Sequence, residues 1–70
     1  MAESVYKVIE LVGTSTESFE KAAASAIQRA SKTLRDLRIA EVVKLDMQIG
    51  ANGKVEHYRA KLSVSFKYED

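Results

Sequence analysis

Val5-Tyr6-Lys7-Val8-Ile9-Glu10-Leu11-Val12, closed by Gly13-Thr14-Ser15, decides the fold. The run is short, rich in β-branched and aromatic side chains and bounded by small residues, which favours a strand over a helix. Its apolar residues fall on both alternating faces, Tyr6, Val8 and Val12 on one and Val5, Ile9 and Leu11 on the other, so both sides need cover. One helix covers only one side. After Ser15 the period changes: Phe19, Ala22, Ala23, Ala26, Ile27, Ala30, Leu34 and Leu37 recur at three and four residues and draw one apolar stripe along a helix. Ser15 or Thr16 is the expected N-cap, with Glu17 and Glu20 suited to the positive end of the dipole and Arg29, Lys32, Arg35 and Arg38 to the other end. The stripe is mostly alanine. It can lie close to a sheet but contributes little apolar area per residue.

Alternation resumes from Ile39 to Ile49, with Val43, Leu45, Met47 and Ile49 on one face and Lys44, Asp46 and Gln48 on the other. Gly50-Ala51-Asn52-Gly53 carries an Asn-Gly step, the chemistry of a tight hairpin. From Val55 to Tyr68 the alternation is long: Tyr58, Ala60, Leu62, Val64, Phe66 and Tyr68 on one side, His57, Arg59, Lys61, Ser63, Ser65 and Lys67 on the other. The expected fold class is α+β in the order β-α-β-β, a three-stranded antiparallel sheet wrapped around one helix. The last strand is expected to reach a neighbouring subunit or to curl around the helix.

A chain of 70 residues is read as a single domain, 1–70, without linker, repeat or low-complexity segment. A domain of this size buries only about 60% of its unfolded surface. With no cysteine for a staple, subunit contacts are the expected support. Eleven Lys and Arg against ten Asp and Glu leave a formal charge of +1, so bulk electrostatics does not draw the chain to nucleic acid or to an anionic membrane. No apolar run approaches the roughly 20 residues of a membrane span. The opening Met1-Ala2-Glu3-Ser4 lacks the basic and apolar regions of a signal peptide, and the expected location is cytoplasmic.

Chemistry-bearing groups are few. The one histidine, His57, lies on the polar alternation between Glu56 and Arg59 and reads as a solvated or interface position. Gly13-Thr14-Ser15 before a helix offers N–H groups for an anion, yet it lacks the second glycine and the Lys-Ser/Thr pair of a nucleotide loop. Glu10, Glu41 and Asp46 lie on strands; acids from symmetry-related chains could converge on Ca²⁺ or Mg²⁺, and solvated strand faces explain the same residues. The basic row Arg59, Lys61, Lys67 and Lys44 beside Tyr58 is interleaved with Glu41, Asp46, Glu56, Glu69 and Asp70, against an RNA-reading sheet. No nucleophile, base and oxyanion donor assemble in the pattern, so no enzymatic activity is expected.

Val5 through Ser15, then Ser18-Phe19-Glu20, Ala22-Ala23, Ala26-Ile27, Arg29-Ala30, Ala40-Glu41-Val42-Val43, Tyr58 and Leu62-x-Val64-x-Phe66 together resemble a dodecin, over nearly the whole chain. The resemblance implies a helix held by a three-stranded antiparallel sheet, twelve copies of which form a hollow shell, a homododecamer, that in many members binds flavin (riboflavin or FMN) without turning it over. The flavin-type pocket positions are Ile39, Arg59 and Gln48, and they are altered: flavin binders place a tryptophan where Ile39 stands and a glutamine where Arg59 stands. An isoleucine has no π-face for an isoalloxazine ring, and an arginine cannot accept from the flavin's N–H groups. The chain is similar instead to the calcium dodecin type at Ile39-Ala40, Asp46-Met47, Gly53-Lys54 and Tyr58-Arg59. That resemblance implies a Ca²⁺ or small-ligand binding and storage particle, with Asp46 and Glu10 as metal ligands supplied by several chains.

Overall fold

The computed structural model describes residues 3–68. Met1, Ala2, Glu69 and Asp70, used above in reading the start of the chain and its acidic balance, lie outside the described residues. The elements run β1 (Tyr6–Ser15), α1 (Phe19–Ala30), β2 (Leu37–Ile49) and β3 (Val55–Lys67). All pairing is antiparallel with strand order β1-β3-β2, so the last strand is central and both others are edges. The β-α-β-β expectation holds.

The helix begins later than its sequence suggests. Ser18, in extended backbone, is the N-cap and accepts from the Lys21 N–H; Ser15 ends β1 and accepts from the Glu17 N–H at 2.9 Å. These serines engage the Glu17, Ser18 and Lys21 N–H groups at the start of the helix. The helix also ends early, at Ala30. Ser31 and Thr33 hydroxyls donate back to the Gln28 and Ala30 carbonyls, and Asp36 turns the chain at φ 58°. Leu37, assigned above to the helical stripe, instead opens β2 opposite Phe66, and Lys32, Arg35 and Arg38 lie beyond the helix.

The helix lies over β1 and β3. Ile9, Leu11 and Gly13 face it from β1, opposite Val64, Leu62 and Ala60 of β3, and Ala22 and Ala26 close the core. Gly13 is required there: a Cβ at that position would sit 2.0 Å from the Ala22 carbonyl oxygen. Phe19 packs edge-on against Tyr58, ring centroids 5.1 Å apart, and pins the start of the helix to the sheet.

The core is thin. Leu62 and Val64 are the large side chains fully buried, while twelve large apolar residues are exposed among the described residues. The shape explains why. Twelve helical residues at about 1.5 Å each cannot cover thirteen strand residues at about 3.3 Å each. The extents are 56 × 20 × 16 Å and the radius of gyration is 14.6 Å, against about 11 Å for a compact chain of this size. The β2–β3 hairpin therefore overhangs the helix. Its loop has five residues, 50–54, not two, with Gly53 at φ 80° and the Asn52 side chain accepting from the Lys54 N–H.

One register shift revises the face assignment on β2. Val42 pairs with Leu62 and Lys44 with Lys61, so Val43 is the extra residue of a bulge. Ala40, Val42, Leu45 and Met47 share the helix side, and Val43 drops out of the alternating set expected for it.

Candidate functional site

The outer sheet face, away from the helix, carries the charged groups. β3 presents His57, Arg59, Lys61, Ser63 and Ser65 there; across it stand Glu10 and Val12 of β1 and Ile39, Glu41, Lys44, Asp46 and Gln48 of β2. The bulge at Val43 sets this arrangement, because it brings Lys44 directly opposite Lys61. Like charges so placed repel. Glu10 lies 3.4 Å from the Lys61 ammonium, and Asp46 stands beside Lys44 on the same face.

Asp46 and Arg59 form a forked pair: Nε donates to Oδ1 at 2.7 Å and Nη2 to Oδ2 at 2.9 Å. The hydrogen bond from Arg59, then its charge and that of Lys44, hold the Asp46 carboxyl below its ordinary value despite partial desolvation. The same hydrogen bond raises Arg59. A cavity of about 240 Å³ opens here, lined by Val12, Lys44, Asp46, Arg59 and Lys61.

The candidate ligand residues are only partly brought together. Glu10 aligns with Ser63 and Asp46 with Arg59, on opposite sides of β3. At about 3.3 Å per residue and 4.8 Å per strand they stand roughly 15 Å apart, too far to share one ion within a chain. Among the described residues no three His, Cys, Asp or Glu side chains form a metal cluster. Calcium takes roughly six to eight oxygens, so these acids suit it only as donors contributed from several chains. Of the flavin-type positions, Gln48 lies opposite His57 and near Arg59, and its amide reaches Glu56 at 3.4 Å. Ile39 pairs with Ser65, roughly 20 Å along the sheet. His57 is half-buried and its Nδ1 has no hydrogen-bond partner.

The Dodecin family profile matches residues 5–69. The chain belongs to the dodecin family. It is 53% identical over 64 residues to the calcium dodecin of Mycobacterium tuberculosis, covering 91% of this chain and 89% of that protein. To the dodecin of Thermus thermophilus it is 47% identical over 66 residues, 94% of each chain. A crystal structure of the M. tuberculosis calcium dodecin, described as calcium-chelating with a novel calcium-binding site, superposes with a TM-score of 0.84 at 52% identity, covering 94% of this chain and 93% of that one. The dodecin of Streptomyces coelicolor superposes at 0.92 with 38% identity, covering 100% and 99%. Dodecins bind and store ligands, and the fold expected from the resemblance is the one observed.

Lys44 and Lys61 are cavity residues that the sequence did not single out as such. The available signal was the hairpin: counting back from Asn52-Gly53 pairs the polar face of one strand with that of the next, but the bulge at Val43 decides which lysine meets which.

Proposed function

We propose that the protein is a non-enzymatic binding and storage shell, a cytoplasmic homododecamer of single-domain subunits, whose ligand is calcium in preference to a tightly stacked flavin. The observation that carries the calcium reading is the outer sheet face, where the exposed acids Glu10 and Asp46 stand on either side of β3 and a neighbouring chain can complete their coordination. Similarity to the calcium dodecin of M. tuberculosis supports it. Self-assembly is supported by the exposed apolar side chains of β2 and by a groove of about 710 Å³ between β1 and α1, lined by Ile9, Leu11, Ala26 and Leu34 among others. No helix among the described residues is long and apolar enough to cross a membrane.

Flavin sequestration in an altered pocket is the alternative, implied by membership of the dodecin family, many members of which bind flavin. Against it, Ile39 offers no ring and Arg59 is engaged by Asp46. A shell without a small ligand is the remaining reading. Titrations of the assembled protein separate the three. A calcium-dependent rise in melting temperature, lost in Asp46→Asn, supports calcium through mass action. Deep quenching of riboflavin fluorescence with a stoichiometric break supports flavin, and Ile39→Trp should then deepen it. Neither response supports the structural shell.

A further inference from the structure

Three cations and one carboxylate line the cavity on the outer sheet face, and that carboxylate is already matched. Arg59 donates to both oxygens of Asp46, so the one acid neutralises one of the cations. What remains is a pair of lysines. The bulge at Val43 sets Lys44 directly opposite Lys61, where Cβ atoms stand roughly 5 Å apart and like charges repel. Lys61 meets Glu10 at 3.4 Å from the strand on its other side. Lys44 has no carboxylate oxygen within 4.0 Å of its ammonium among the described residues.

We propose that this cavity binds a small oxyanion of the phosphate class, held between the Lys44 and Lys61 ammonium groups. The lining sets the sign: three positive groups against one negative leave an excess of positive charge, of which Glu10 offsets only the share on Lys61. An anion relieves the lysine–lysine repulsion that the register imposes, which a cation or a neutral ligand cannot do. Ammonium groups donate and never accept, so they suit a ligand whose surface is all acceptor oxygens. Val12 supplies an apolar wall that carries no competing group. The volume sets the size. About 240 Å³ holds a tetrahedral ion with several waters of about 30 Å³ each, and falls below the roughly 300–1,000 Å³ of sites for larger organic ligands. Lys61 keeps 43% of its side chain exposed, so the ion enters from solvent without any opening of the fold, and added salt weakens its binding. The inference stands apart from the calcium reading, which draws on the carboxylates and on neighbouring chains; this one draws on two lysines of a single chain.

The test is calorimetric titration of the full-length, assembled protein with sodium phosphate, in calcium-free buffer of low ionic strength. Wild type is compared with Lys44→Gln, Lys61→Gln, Glu10→Gln and Lys32→Gln, the last an exposed lysine beyond the helix and outside the cavity, with assembly checked by native mass. Lys44→Gln and Lys61→Gln should each weaken phosphate binding about three- to tenfold. Glu10→Gln should tighten it about two- to threefold, because Lys61 loses its competing acid, and Lys32→Gln should leave it unchanged. A parallel titration with glycerol 3-phosphate identifies the source: binding equal to that of phosphate assigns a phosphate ester, weaker binding the free ion, and either supports the site. No phosphate binding by wild type overturns the proposal, as does an equal loss in Lys32→Gln or unchanged binding in both cavity-lysine variants. Should the lysine variants fail to assemble, Glu10→Gln decides: tighter binding supports the site, and equal or weaker binding overturns it. Titrating Glu10→Gln with calcium keeps the two readings apart, since the calcium reading expects this same variant to bind its ion less well.

Discussion

Leu62 on β3 and Leu45 on β2 are the same residue type on the same side of one sheet, and they meet opposite fates. Leu62 is 1% exposed beneath the helix; Leu45 is 50% exposed one strand away. Their regions differ in cover rather than in pattern. The β1–α1–β3 layer is closed by alanines that let the helix approach, while β2 packs on this core only through Leu37 at its start and keeps Val42, Leu45 and Met47 half open. A chain that alternates this cleanly and still leaves one strand uncovered is built to be finished by other copies.

The comparison breaks most severely at Gly13. Gly13→Val places side-chain atoms where the Ala22 carbonyl oxygen stands 2.0 Å from an added Cβ, and no folded chain should be recovered by circular dichroism. Next, the two leucines can be set against each other directly. Leu62→Ala should cost about 2–5 kcal/mol by urea unfolding, through a cavity that the alanine-rich helix cannot fill. Leu45→Ala should act on assembly instead. Its native mass should shift toward smaller species on dilution while the far-ultraviolet spectrum is kept; a urea loss equal to that of Leu62→Ala with assembly intact would mean that β2 is not an interface.

The smallest effect concerns the outer face. Asp46 titrates below its usual 3.8 in the folded chain because Arg59 stabilises the carboxylate. A depressed folded value means that the pair's contribution is complete above the unfolded pKa and is lost as pH falls through the folded one. In calcium-free buffer the stability difference between wild type and Asp46→Asn should therefore be flat from about pH 8 to 5 and close only below about 3.8. A difference that closes near neutrality would show that Asp46 is not held by Arg59.

The Val5–Val12 alternation, the alanine stripe and the long Val55–Tyr68 run made the three strands and the helix legible, since the period of a pattern is a local property of the chain. The helix ends were misplaced because competing caps are close in sequence. Ser15, Thr16 and Ser18 are all chemically able to cap, and the side chain that accepts from the Lys21 N–H depends on where β1 releases the chain. The candidate site was legible as residue types and not as partners. Glu10 and Asp46 were visible as strand acids, yet their cations Lys61 and Arg59 come from the central strand and are fixed by register.

By itself the sequence determined the class of fold, the thinness of the core and the need for subunit contacts, because composition and periodicity state which side chains must leave water and how much area they carry. Only the tertiary structure decided that β3 is central, that a bulge at Val43 sets Lys44 against Lys61, and that Arg59 closes on Asp46. Those features follow from long-range strand pairing, where a one-residue shift changes every facing partner while the local pattern stays the same.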